Sequence, residues 1–120
     1  MLYTIFTVKD QDYKLRLGAK EAVVLEKKLG NNPLNIIVGI AQNNQIPELS
    51  VLLDILHASI VHFQHNMTIN DVYDLYDEFC DEGNTIVDLV PVVIDVFKVS
   101  GFFKEEEAEE EQEETEKNVK

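Results

Sequence analysis

Three histidines, His57, His62 and His65, one cysteine, Cys80, and a run of aspartates, Asp71, Asp74, Asp77 and Asp81, are the side chains whose types could hold a metal or do acid, base or nucleophilic work. Their spacing argues against each chemistry in turn. A zinc site needs three or four ligands at set intervals, but His62 and His65 lie at i, i+3 with His57 well round the helix, and neither a His-Glu-x-x-His string nor a second Cys completes a set. An EF-hand loop places ligands at alternate positions around an internal Gly, whereas these aspartates precede Gly83 three and four apart, the repeat of a solvated helix face. A nucleophilic thiol needs a positioned base and an electropositive setting. Cys80 lies instead on an apolar stripe amid Asp77, Glu78, Asp81 and Glu82, and reads as core. With no Gly-rich phosphate loop, nucleophile elbow or raised carboxylate pair in view, the chain reads as a non-enzyme that uses no cofactor and no metal.

The charge distribution narrows the classes further. Residues 1–103 carry 14 acids against 7 bases, and every Lys and Arg lies before Leu29 or after Phe97. The stretch between holds ten Asp or Glu, so its surface must be anionic. Nucleic-acid binding needs clustered cations to neutralise phosphates, and only the loose set Lys9, Lys14, Arg16, Lys20, Lys27 and Lys28 is on offer, which sets DNA and RNA aside. The lone Cys80 excludes an internal disulfide, the N-terminus lacks the make-up of a secretory signal, and Asp88, Asp95 and Lys98 interrupt the longest apolar run, so a cytoplasmic protein without a membrane span is expected.

The elements that must position these residues follow from periodicity. Leu2 to Val8 is rich in β-branched and aromatic types; after the polar break Lys9–Asp12, Tyr13, Leu15 and Leu17 alternate with Lys14 and Arg16, the mark of a half-buried strand in a β-hairpin. Ala19 to Leu29 places Ala22, Leu25, Glu26 and Leu29 at helical spacing, with Val23 beside them, and Gly30 closes it. Leu34 to Ala41 predicts a helical turn or two. Pro47 and Glu48 open a helix whose stripe is Leu49, Leu52, Leu53, Leu56, Ile60 and Phe63. Thr68 with Asp71 predicts a capping box. Behind that cap, Ile69, Val72, Tyr73, Tyr76, Phe79 and Cys80 share the inner face of the next helix. Thr85 caps a last helix with inner stripe Ile86, Leu89, Val90, Val93, Ile94 and Phe97, and Pro91 marks either a kink or the start of its regular part. The fold class is therefore α+β, mainly α: an N-terminal hairpin followed by four to five short helices over residues 1–103.

Two features point to contact with other molecules. The last helix is apolar nearly all round, which requires cover on more than one side. Val92, Val96, Val99, Phe102 and Phe103 are the candidate contact residues, with Phe97 assigned to the core. Burying such side chains in a partner is worth roughly 1.5–3 kcal/mol each before association costs. The alternative is that the hairpin and first helix cover the second face. After Phe103 the composition changes: residues 104–120 hold nine Glu against three Lys and no aromatic residue, too little apolar surface to offset the entropy of ordering. Residues 104–120 are thus expected to form a disordered acidic tail, with Glu105, Glu106, Glu107, Glu109, Glu110 and Glu111 as its densest part. It serves either solubility or docking to a basic surface.

Several strings resemble the tail assembly chaperones of long-tailed, siphovirus-type bacteriophages and prophages. They are Tyr13-Lys14-Leu15-Arg16-Leu17, Leu25-Glu26-Lys27-Lys28-Leu29-Gly30, the segment Thr68-Ile69 through Asp77-Glu78, and nearest of all Val96-Phe97-Lys98-Val99-Ser100-Gly101-Phe102-Phe103. The resemblance covers most of residues 2–103. It implies a non-enzymatic helper of the host cytoplasm, absent from the mature virion, that coats the helical tape measure protein and helps bring tail tube subunits to it. Members of that family are often made in two lengths by ribosomal frameshifting, so this chain would be the short form, and a homo-oligomer is expected. Two readings of other kinds stand beside it: an acidic nucleic-acid mimic that occupies a basic protein partner, and a small regulatory domain that stays monomeric.

Overall fold

The computed structural model describes residues 2–103. The acidic-tail expectation for residues 104–120, with Glu105–Glu107 and Glu109–Glu111, lies outside the described residues.

Alternation builds the hairpin as expected. Strand β1, Thr4–Val8, pairs antiparallel with β2, Gln11–Leu15, in a register that sets Ile5 against Lys14 and Phe6 against Tyr13. Phe6, Val8 and Leu15 point inward and are buried. Val8 pairs with Gln11, so the loop is only Lys9 and Asp10, both with positive φ (49° and 64°). That backbone matches the strand twist, at some strain for residues other than Gly. The Lys9 N–H donates to the Glu82 carboxylate, which holds this strained turn against the end of a helix far along the chain.

Five helices follow among the described residues. α1 spans Ala19–Leu29 and ends on Gly30 at φ 68°, whose N–H bonds the Glu26 carbonyl. α2, Leu34–Asn43, is a full ten-residue helix, longer than the turn or two its short apolar run suggests. Asn44 extends it by taking the left-handed cap that Gly usually fills. α3 is Leu49–Val61, α4 Ile69–Asp81 and α5 Ile86–Val99. The chain is thus α+β and mainly α, with one two-stranded antiparallel hairpin. No helix among the described residues is long and apolar enough to cross a membrane.

Capping chemistry sets the starts of the last two helices. Thr68 Oγ1 accepts from the Asp71 N–H at 3.1 Å while Asp71 Oδ2 accepts from the Thr68 N–H at 2.9 Å, a reciprocal box that satisfies two otherwise orphan donors. At α5 the Thr85 N–H donates to Asp88 Oδ2 at 2.8 Å. α5 carries Pro91 inside it, so its regular part does not start there, the second of the two alternatives read from the sequence. Pro91 is exposed, so the carbonyl deprived of its N–H partner lies on a side that water can reach.

α3 is the centre of the molecule, packed against α1, α4, α5 and β2. Of its expected stripe it buries Leu52, Leu53, Leu56 and Ile60, with Ile55 and Ser59 besides, while Leu49 at its start is exposed and Phe63 beyond its end is half-buried. Ser59 is tolerated there because its Oγ donates to the Ile55 carbonyl at 2.6 Å, while its own carbonyl accepts from the Arg16 N–H at 3.1 Å. The other two stripes are rotated from expectation. α4 buries Leu75 with Val72 and Phe79 and leaves Tyr73 45% exposed. α5 buries Leu89, Val93, Val96 and Phe97, leaving Ile86, Val90 and Ile94 half-buried. α5 packs against both α3 and β1.

The chain ends of this body converge. Arg16 Nη1 donates to the Leu2 carbonyl at 2.7 Å and the Val99 carbonyl at 3.2 Å, and the Leu17 N–H donates to Ser100 Oγ at 2.8 Å. The end of α5 is therefore fastened beside the junction of β2 and α1.

Candidate functional site

α1 leans on α3 through a single fully buried residue, Leu25, and the two helices leave a groove of about 420 Å³ between them. Val24, Leu25, Ala58 and Val61 give it an apolar floor, and Lys20, Glu21, Lys28, Asp54, His57, His62 and His65 form its rim. Two ion pairs bridge the helices across it. Lys28 Nζ lies 3.0 Å from Asp54 Oδ1, and Glu21 Oε1 meets His62 Nδ1, a pair that is ionic when the imidazole is protonated. Glu21 and Lys28 are two helical turns apart, so the bridges bracket roughly 10 Å of groove.

Close packing at the N-terminal end fixes that geometry. Gly18 caps α1, and a Cβ placed there would come within 2.9 Å of the His62 ring. His62 in turn meets Phe63 edge-on, with centroids 4.9 Å apart. His57 is held separately, its Nε2 lying 2.8 Å from the Met67 carbonyl oxygen. Glu21, Lys28, Asp54, His57 and His62 of the rim are thus engaged in structure, and the arrangement offers an apolar trough with polar edges. It does not offer a nucleophile and base aimed at one point. Among the described residues no group of three or more His, Cys, Asp or Glu is placed to hold a metal ion.

The aspartates of α4 run along its exposed side as their spacing indicates. Asp71 is held below the usual carboxylate range by the Thr68 N–H and then the Thr68 hydroxyl. Cys80 is half-buried and paired with Tyr76, whose phenol is pushed up to about 12 chiefly by that hydrogen bond and then by burial. Burial, and then the charge of Glu78, raises the Tyr13 phenol.

The contact residues expected from sequence do not form an exposed patch. Val96 is 1% exposed and belongs to the core, so it is not a surface contact. The reason is that β1 covers the α5 face that would otherwise need a partner. Val92, Phe102 and Phe103 are half-buried and packed against that core, Phe102 lying edge-on to Phe97 at 4.9 Å. Val99 is half-buried as well.

Apart from Val87 on α5, 55% exposed, the exposed apolar side chains lie elsewhere. Val23 and Val24 on α1 are 48% and 59% exposed, and Leu2, Tyr3 and Ile5 project from the outer face of the hairpin. There Tyr3 packs edge-on to Phe63, and Lys14 Nζ sits 4.9 Å from the Tyr3 ring centroid. The signal for α1 was in the sequence: Lys20, Val23, Val24, Lys27 and Lys28 fall at i, i+3, i+4, i+7 and i+8, one continuous stripe. Its mixture of Lys and Val hid it beside the apolar stripe that carries Leu25.

Residues 3–119 match a family described as a family of unknown function, DUF6096. No curated protein and no solved structure matches the chain.

Proposed function

We propose that this chain, which belongs to the DUF6096 family, is a non-enzymatic tail assembly chaperone of the long-tailed phage type, in its short form. It holds apolar helical stretches of a tape measure protein in the cytoplasm of the bacterial host and is absent from the finished virion. Tail tube subunits come to it mainly through the longer, frameshifted form. The observation that supports this reading best is the α1–α3 groove, an apolar floor bracketed by Lys28–Asp54 and Glu21–His62. A partner helix lying in it gains contact with Val24, Leu25, Ala58 and Val61 on its apolar side and meets charged edges at its flanks, the helix-in-groove mode. The resemblance of Tyr13–Leu17, Leu25–Gly30 and Val96–Phe103 to that chaperone family supplies the partner's identity. Self-association is assigned to the exposed Leu2, Tyr3 and Ile5, which give the hairpin an apolar outer face.

Co-expression with a heptad-rich segment of a tape measure protein tests the reading. The intact chain should keep that segment in solution as a complex, and Val24→Glu or Ala58→Glu should release it. A segment that stays insoluble beside a well-folded chain overturns the proposal. The exposed carboxylates Asp71, Asp74, Asp77 and Asp81 favour a second reading, an acidic mimic that occupies a basic protein. Recovery of a nuclease or a DNA-binding protein in place of tail components would select it.

A further inference from the structure

The two carboxylates on the rim of the α1–α3 groove are already matched by bases: Glu21 meets His62, and Asp54 meets Lys28. The charge left over is positive. Lys20 lines the same groove, is exposed, and makes no ion pair among the described residues. Lys27, exposed and equally without an ion pair among them, falls roughly 20° round the helix from Lys20, on the outer side of that edge. Lys28 gives Asp54 one of its three N–H donors, and its side chain is still 51% exposed. Resting on the groove function proposed above, we infer that the helix this groove takes carries carboxylates along the flank that meets α1, spaced two turns apart so that they reach Lys20 and Lys28 together.

That spacing is set by the groove. Lys20 and Lys28 are two turns apart, about 12 Å along α1, with Val24 midway between them. A helix lying lengthwise in the trough rests its apolar stripe on Val24, Leu25, Ala58 and Val61 and brings one acid to each lysine. The α3 wall does not oppose this arrangement, since the acid it contributes, Asp54, is held by Lys28, and its other polar members are His57, His62 and His65. Nearby acids lie off the groove. Glu26 falls roughly 160° round α1 from Lys28. Glu48 lines a separate cleft beside α2, and Asp71, Asp74 and Glu78 line another beside Tyr13. The other bases of the described residues form no second edge of this kind. Arg16 holds the Leu2 and Val99 carbonyls, Lys14 lies over Tyr3 and Phe63, and neither Lys9 nor Lys98 lines the groove.

The net charge of −13 favours a cationic partner, so the whole chain and the groove edge predict opposite preferences. In about 0.15 M salt the screening length is about 8 Å, and contacts at the rim outweigh distant acids. Two labelled amphipathic peptides of about three heptads, with Leu at a and d, are kept at nanomolar concentration; one carries Glu along a flank of the stripe and the other Lys. Fluorescence anisotropy with the full chain should show the Glu peptide binding about ten-fold more tightly in about 0.15 M salt, because two or three exposed ion pairs each add a few-fold. The preference should largely vanish in about 1 M salt, where the screening length is about 3 Å. Lys20→Glu should cancel most of it. Lys9→Glu, the same charge change on the hairpin turn, should leave it in place; both positions are exposed, so the fold is kept. Tighter or equal binding of the Lys peptide would overturn the inference, as would a loss at Lys9→Glu that matches the loss at Lys20→Glu. In those cases the groove reading stands if Val24→Ser weakens both peptides. Failure of both peptides to bind would overturn that reading together with the inference.

Discussion

α3 and α1 lie side by side and use their side chains in opposite ways. α3 buries Leu52, Leu53, Ile55, Leu56, Ser59 and Ile60, whereas α1 buries Leu25 alone and leaves Val23 and Val24 about half exposed. The difference separates what holds the fold from what it displays. Apolar area removed from water stabilises in proportion to its extent, so the weight of the structure rests on α3, α5 and the inner face of the hairpin. α1 is attached by buried Leu25, by half-buried Leu29 packed against the core, by two bridging ion pairs and by the close approach of Gly18 to His62. A helix attached so lightly can carry residues chosen for contact, and Lys20, Val24 and Lys28 are of that kind.

The largest expected effect breaks the heavy side of this comparison. Phe97 is fully buried and meets Phe102 edge-on. Phe97→Ala should cost about 3–5 kcal/mol in urea unfolding, through lost transfer energy and the cavity left behind. A cost below about 1 kcal/mol would mean that the site collapses freely and that α5 is not part of a close-packed centre.

A middle-sized effect sharpens the account of α4. Thr68→Ala removes the acceptor for the Asp71 N–H and should cost about 0.5–2 kcal/mol. The Asp71 carboxyl is held low, so the stability it contributes is fully present above its ordinary value near 3.8 and is lost as pH falls through the lower folded-state value. The difference in thermal stability between the chain and Asp71→Ala should therefore stay level from neutral pH down to about pH 4 and narrow below it. A gap that widens on acidification would reverse the sign and refute the cap as its source.

Much of this fold could be read from the residues, and the failures share one cause. Alternation at Tyr13, Leu15 and Leu17, the Thr68 box and the Gly30 stop are local chemistry, and each fixes an element with little help from the rest of the chain. The rotation of a helix is not local. α5 is apolar nearly all round, so its own pattern does not say which side faces inward; β1 packing against it decides that, and Val96 goes to the core. The same holds at α4, where Leu75 is buried and Tyr73 is not. For the groove the limit is stricter. Lys20, Val24 and Lys28 form a visible stripe in α1, but Ala58 and Val61 join them only because α3 lies alongside, a pairing across some thirty residues that neither helix announces.

The smallest expected effect on stability tests the light side of the comparison most directly. Val24 is 59% exposed, and at such positions substitutions usually stay within about 0.5 kcal/mol. Val24→Ser should therefore melt with the parent chain. Its consequence belongs to binding: the residue forms part of the groove floor, and a hydroxyl there replaces apolar contact with a group that prefers water. An apolar helix that fills the groove should bind Val24→Ser several-fold more weakly, while Val87→Ser, changed at a site comparably exposed on α5, should leave binding where it was. Equal loss at both positions would show that exposed valine in general, and not the trough between α1 and α3, accounts for capture. Loss of stability at Val24 would show that α1 bears weight after all.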